Sequence, residues 1–179
     1  MNGTIRRIDH LGRVVLPIEF RKTLRIREGD PLEITKNSEG ISIKKYSPID
    51  DAIKFAQSIV KNLHQITDKF CVVTDLDKAI CVFPKTKAIV GRNITKHLIS
   101  LLEERKSVVN LSKKGDKAIP VLEGVDLEYK NQIIVPIVSG GDCYGALIVL
   151  DNEKNLNGFN NDIDLIKLGA KVLAEQFNI

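Results

Sequence analysis

Two apolar rhythms divide the chain. From Ile5 to Tyr46 the apolar positions come in short runs: Ile5 and Ile8 around an arginine pair, then Val14-Val15-Leu16, then alternation through LEIT and ISIKKY. Alternation is the mark of a strand covered on one face, and it puts Leu32 with Ile34, and Ile41 with Ile43, on a common side of each strand. The tetrads Asp9-His10-Leu11-Gly12 and Asn37-Ser38-Glu39-Gly40 hold the residue types that tight turns favour. The pattern predicts four short strands. Between the pairs, PIEFRKTL reads as a short helix with Pro17 in its first turn and Glu19 near the positive end of its dipole, and Gly29-Asp30-Pro31 closes that unit.

After Tyr46 the period changes. Ser47, Pro48 and Asp50 form an N-cap, a first-turn proline and an early acid, and Ile49, Ile53, Ala56, Val60 and Leu63 follow at helical spacing. Such a stripe fits two arrangements, a linking helix beside its two-fold mate or one docked on the domain that follows. FCVVTD and AICVFP read as strands around Leu76-Asp77-Lys78, and Thr95 to Lys106 as a helix with Ile94, Leu98, Leu101 and Leu102 inward. IIVPIVSGGDCYGALIVLD is a hairpin turning at Ser139 to Asp142. Asn160 to Phe177 closes the chain as a helix with Ile163, Ile166, Ala170, Leu173 and Phe177 on one side. Strand pairs flanked by helices predict an α+β domain, one sheet covered by helices.

Composition changes this picture in two places. At 179 residues and 43% hydrophobic the chain is ordinary globular material, and no apolar run reaches the roughly 18 residues of a membrane span. With no signal-peptide pattern either, the expected location is the cytoplasm. The β-rich N-terminal part is too small to bury a stable core alone and has no metal or disulfide to help, so it is expected to form an obligate dimer. Charge then singles out the same part. The chain carries +4 in all, yet up to Arg27 there are seven basic residues against Asp9 and Glu19, while beyond Asp50 basic and acidic residues stand at 17 and 16. Excess positive charge concentrated in one small unit points to a polyanion, most commonly nucleic acid.

Cys71, Cys81 and Cys143 lie in or beside apolar runs, without CxxC spacing or neighbouring histidines. They read as reduced strand thiols; no metal site, catalytic residue or cofactor is expected.

On GTIRRIDHLGRVVLPIEFRKTLRIREGDPLEI and ISIKKYSPI, residues 3 to 47 resemble the AbrB-type swapped-hairpin DNA-binding domain of bacterial transition-state regulators. Over the whole chain the resemblance is to the stage V sporulation protein T family, in which such a domain continues into a helix and a GAF domain. Here the GAF-like signature is the hairpin ending in ALIVLD followed by the terminal helix. The resemblance implies a two-domain chain: a β-rich swapped-hairpin dimer domain over 1–47, a linking helix over 48–66 and an α+β GAF-like regulatory domain over 67–179. It further implies a homodimer through interleaved N-terminal hairpins, a homotetramer joined through the C-terminal parts, and double-stranded DNA as partner. The DNA contacts it implies are Arg6, Arg7, Arg13, Arg21 and Lys22. His10 stands where relatives often carry an acid, which removes a negative charge beside that face. The implied role is activation and repression of forespore genes.

Three alternatives stand beside this reading. Arg7 or Arg21 pairs internally with Asp9, Glu19 or Glu33, serving as a strut. The GAF-like domain either encloses a pocket for an unidentified small-molecule effector or fills its core and serves assembly alone; no ligand contact is assigned. The functional rivals are an antitoxin-type autoregulator, which would be expected to end in a disordered tail, and a cysteine-dependent GAF-type reductase, which would need an exposed, activated thiol.

Overall fold

The computed structural model describes residues 3–46, 52–86, 88–110, 118–125, 129–152 and 156–177. The chain divides into two compact units, residues 1–46 and 47–179. The expected N-cap at Ser47, Pro48 and Asp50, with Ile49, lies outside the described residues.

In the first unit, α1 (Ile18–Thr23) precedes a hairpin of β1 (Leu32–Asn37) and β2 (Gly40–Lys45). The hairpin pairs Ile34 with Ile43 and Lys36 with Ile41, and the Asn37 side chain accepts the Glu39 N–H at 3.1 Å to fix the turn. Asp30 accepts the Arg27 N–H at 2.7 Å and holds Lys45 Nζ at 3.1 Å, tying β2 to the preceding loop. Helix α1 ends in two nested bonds, Arg25 N–H to Lys22 O and Ile26 N–H to Arg21 O, with Arg25 at φ 54 in the left-handed region.

Two details of this unit depart from the pattern. Pro17 flanks α1 as its N-cap with extended backbone, φ −56 and ψ 144, instead of sitting inside its first turn. The turn between Asp9 and Gly12 forms, but its flanking segments carry no strand in the single chain. A strand exists by its neighbour's hydrogen bonds, and the chain offers these segments none. The same deficit appears in burial: among the described residues of this unit only Pro17 is buried, while Ile5, Val15, Ile34 and Ile41 keep 93%, 76%, 67% and 74% of their surfaces exposed.

The second unit is an antiparallel sheet in the order β4 (Ala79–Phe83), β3 (Phe70–Thr74), β7 (Asp142–Asp151), β6 (Asn131–Ser139), β5 (Val108–Asn110). Helices α2 (Ile53–Thr67) and α4 (Leu156–Ala174) contribute to the core on one face, where Ala56, Val60, Leu63, Ile166, Ala170 and Leu173 meet the sheet. The stripe of α2 therefore docks on its own downstream domain. Gly169 lets α4 come close, since a Cβ there would lie 3.2 Å from Leu147 and 3.4 Å from Leu63. The buried Lys69, entering β3, joins the half-buried Asp162 of α4 in an ion pair at 2.9 Å.

The opposite face is covered by α3 (Lys96–Glu103) and the segment 118–122, with Ile94, Leu98, Leu102, Val121 and Leu122 in its core. Thr95 caps α3 by accepting the Leu98 N–H at 3.3 Å and donates its hydroxyl proton to Pro120 O at 2.5 Å. The buried Gln132 amide accepts the Ile119 N–H at 2.9 Å and donates to Ile119 O at 2.8 Å. Gly145, φ 158, crosses Thr74 so closely that a Cβ would fall 1.9 Å from its carbonyl oxygen.

Candidate nucleic-acid interface

The first turn is built around one carboxylate. The Gly12 N–H donates to Asp9 O at 3.0 Å and the Asp9 N–H to Arg13 O at 3.1 Å, with Gly12 at φ 77, where a side chain would be strained. Asp9 Oδ1 accepts the N–H groups of Leu11 at 2.9 Å and Arg13 at 2.8 Å. Its second oxygen, Oδ2, accepts Arg13 Nε–H at 2.8 Å. The backbone N–H of Arg13, then its guanidinium, hold the Asp9 carboxyl below its ordinary range. The Arg13 side chain nevertheless stays 70% exposed.

The other predicted cations are exposed as well. Arg6 and Arg7 precede this turn, and Arg21 and Lys22 sit in the last turn of α1. Among the described residues, none of these four forms an ion pair. Glu33 instead pairs with Lys44 at 2.8 Å, and Asp9 with Arg13, so the internal partners considered for Arg7 and Arg21 are otherwise engaged or unused. Cations with no ion-pair partner among the described residues keep their donors for phosphate or base oxygens. The structure thus places Arg13 and the Asp9 turn in one local cluster, and Arg21 with Lys22 in another.

The sequence places Asp9 in a turn and offers it as opposing charge or as a partner for Arg7 or Arg21; the partner it finds, Arg13, is the part that reading missed. The signal was present: an Asp three residues ahead of a Gly and four ahead of an Arg is an Asx-turn arrangement.

The thiols of the second unit are poorly suited to chemistry. Cys71 and Cys81 are 0% and 3% exposed, and burial pushes each up to about 12. Cys143 is half-buried, and burial raises it too. Such thiols hold their protons at neutral pH and are weak nucleophiles. Among the described residues no cluster of His, Cys, Asp or Glu is arranged to hold a metal ion, and no helix is long and apolar enough to cross a membrane.

Comparison with known proteins covers both units. Residues 51–178 match the family model described as stage V sporulation protein T C-terminal, transcription factor. Residues 5–51 match that of the antidote-toxin recognition protein MazE, a bacterial antitoxin. The chain is 35% identical over 176 residues to stage V sporulation protein T of Bacillus subtilis, covering 97% of this chain and 96% of that protein. The transition state regulatory protein AbrB of the same organism is 56% identical over 46 residues, 26% of this chain and 48% of its own.

Among solved structures, the GAF domain/HD domain protein from Geobacter sulfurreducens aligns with a TM-score of 0.52 at 13% identity, over 73% of this chain and 97% of that one. The free methionine-R-sulfoxide reductase from Thermoplasma acidophilum aligns with a TM-score of 0.54 at 14% identity, over 73% of this chain and 94% of that one. At these identities the likeness is one of fold, and the fold is GAF-like.

Proposed function

The chain belongs to the stage V sporulation protein T family of transcription factors, and is a DNA-binding regulator of sporulation; from that premise we propose that it grips duplex DNA as a dimer, through cations repeated across a two-fold axis. Arg6, Arg7, Arg13, Arg21 and Lys22 are the proposed contacts, carried by an AbrB-like domain over 1–47. Residues 48–66 are the proposed linking helix, and residues 67–179 the GAF-like domain that joins dimers into a tetramer.

The observation that carries this reading is the exposure of the first unit. Large apolar side chains with one buried proline between them cannot offset the conformational entropy of folding, so a second copy must supply the missing cover. Interleaving two copies gives the segments around the Asp9 turn their missing strand partners. It also doubles each exposed cation, which suits two half-sites on a duplex.

For the second unit the assembly role is favoured over effector sensing. Val121 and Leu122 occupy the core beneath α3, and an effector entering there would have to displace a segment pinned by Gln132. The buried thiols favour a regulator without catalysis. An antitoxin reading draws on the match over 5–51 and leaves the match over 51–178 without a role. The working site is proposed to be the cytoplasm of the forespore.

Salt dependence of binding to a promoter fragment tests the DNA face. Removing an arginine that neutralises one phosphate should flatten the log–log slope by roughly 0.9, doubled when the substitution is present in both copies of a dimer, whereas removing one that reads a base should reduce discrimination between sequences. Arg13→Ala or Arg21→Ala is expected to do one or the other with the oligomer intact by sedimentation. Binding like wild type in both variants would remove these arginines from the interface.

A further inference from the structure

We propose that Asp9 is a positioning residue for DNA recognition, fixing the Arg13 guanidinium in the orientation in which it meets the duplex. The inference rests on the reading of Arg13 as a DNA contact. Beyond closing the turn, it gives a purpose to a carboxylate whose charge among cations would by itself weaken binding, by repelling phosphates.

One Asp9 side chain holds both parts of the arginine. Its Oδ1 accepts the Arg13 backbone N–H at 2.8 Å, and its Oδ2 accepts the Nε–H at 2.8 Å. Backbone and guanidinium are thereby referred to one rigid point, the turn closed by Gly12 N–H on Asp9 O. A free arginine loses much rotamer freedom when it docks; one already held at Nε loses less. The hydrogen bond uses Nε and leaves the terminal Nη groups for an outside acceptor, on a side chain 70% exposed. Two parallel donors of this kind match guanine O6 and N7, or two phosphate oxygens. Only the base contact depends sharply on angle, so orientation chiefly benefits sequence discrimination.

Charge and positioning predict opposite signs, which makes the test decisive. Asp9→Asn keeps an oxygen that can accept the turn's N–H groups and removes the acceptor for Nε–H. Binding of the full chain is measured on a promoter fragment selected by the wild type and on a scrambled duplex of equal length. The expected result is a loss of roughly five- to fifty-fold in the ratio of the two affinities, for two copies per dimer, with scrambled binding unchanged or tighter. In an Arg13→Ala background the same substitution should leave the ratio unchanged.

Tighter binding of Asp9→Asn to both duplexes would overturn the inference, as would a cost that persists without Arg13. If Arg13→Ala lowers binding or discrimination while Asp9→Asn alters neither, positioning fails and the DNA contact stands. If Arg13→Ala itself changes nothing, the contact fails and the positioning role with it. Asp9→Ser, whose hydroxyl still accepts a turn N–H, supplies the same comparison should the Asn variant not assemble.

Discussion

Cys71 lies opposite Phe83 and Cys81 opposite Val73 on paired antiparallel strands, and both thiols are held to about 12 by burial. An unfolded chain releases such protons near 9.0, the ordinary value. Folding is therefore favoured in full below about pH 9, and stability falls as pH rises from there toward 12, because the unfolded state ionises first. Denaturant midpoints across this window should fall, and should fall less for Cys71→Ala compared with wild type. A flat midpoint would contradict the burial. The strand thiols were legible in sequence because Val72-Val73, Ile80 and Val82 flank them. The turn at Asp9 was legible from its residue types, but its bond to Arg13 was not, since counting charges discards the direction in which a carboxylate points.

Gln132 illustrates what an element hides from its own sequence. It sits in β6, where the pattern shows two polar residues, Asn131 and Gln132, at the head of IIVPIV, yet its side chain holds a segment thirteen positions away in sequence by both polar groups of one residue. Gln132→Leu should leave the Ile119 N–H and C=O without these partners and cost about 2–4 kcal/mol, read as a lowered unfolding midpoint with faster hydrogen exchange at Ile119. A change below about 0.5 kcal/mol, the range of ordinary surface substitutions, would rule the clamp out.

The β6–β7 hairpin was readable because two long apolar runs meet at Gly140-Gly141, which take φ 57 and φ 91. β5 was not, because Val108-Val109 is too short a run to separate from a loop, and its strand character comes from pairing with β6. The spacing of α2 gave the helix but not its partner, since the same stripe fits a mate or a sheet; burial of Ala56, Val60 and Leu63 against the sheet decides it.

At the scale of the molecule, the two units differ in how they satisfy their apolar surface. The second closes over cores on both faces of its sheet, whereas the first leaves Ile5, Val15, Ile34 and Ile41 bare. If a second copy covers them, the first unit's stability is tied to concentration. A hundred-fold dilution then removes about 2.7 kcal/mol, and the midpoint of a transition reported by the first unit should drop while that of the second moves less. A first unit melting independently of concentration would refute this.

The second unit has one more property, set by the placement of α2 and α4 on the same face at opposite ends of its sequence. During translation β3 and β4 leave the ribosome well before β7, which pairs with β3, and before α4, which supplies Ile166, Ala170 and Leu173 to the core. The nascent sheet therefore waits with that face only partly covered, by α2, until α4 clears the exit tunnel. A stop codon ahead of that helix would release a chain whose sheet has only α2 over that face, leaving apolar surface open to chaperones and proteases.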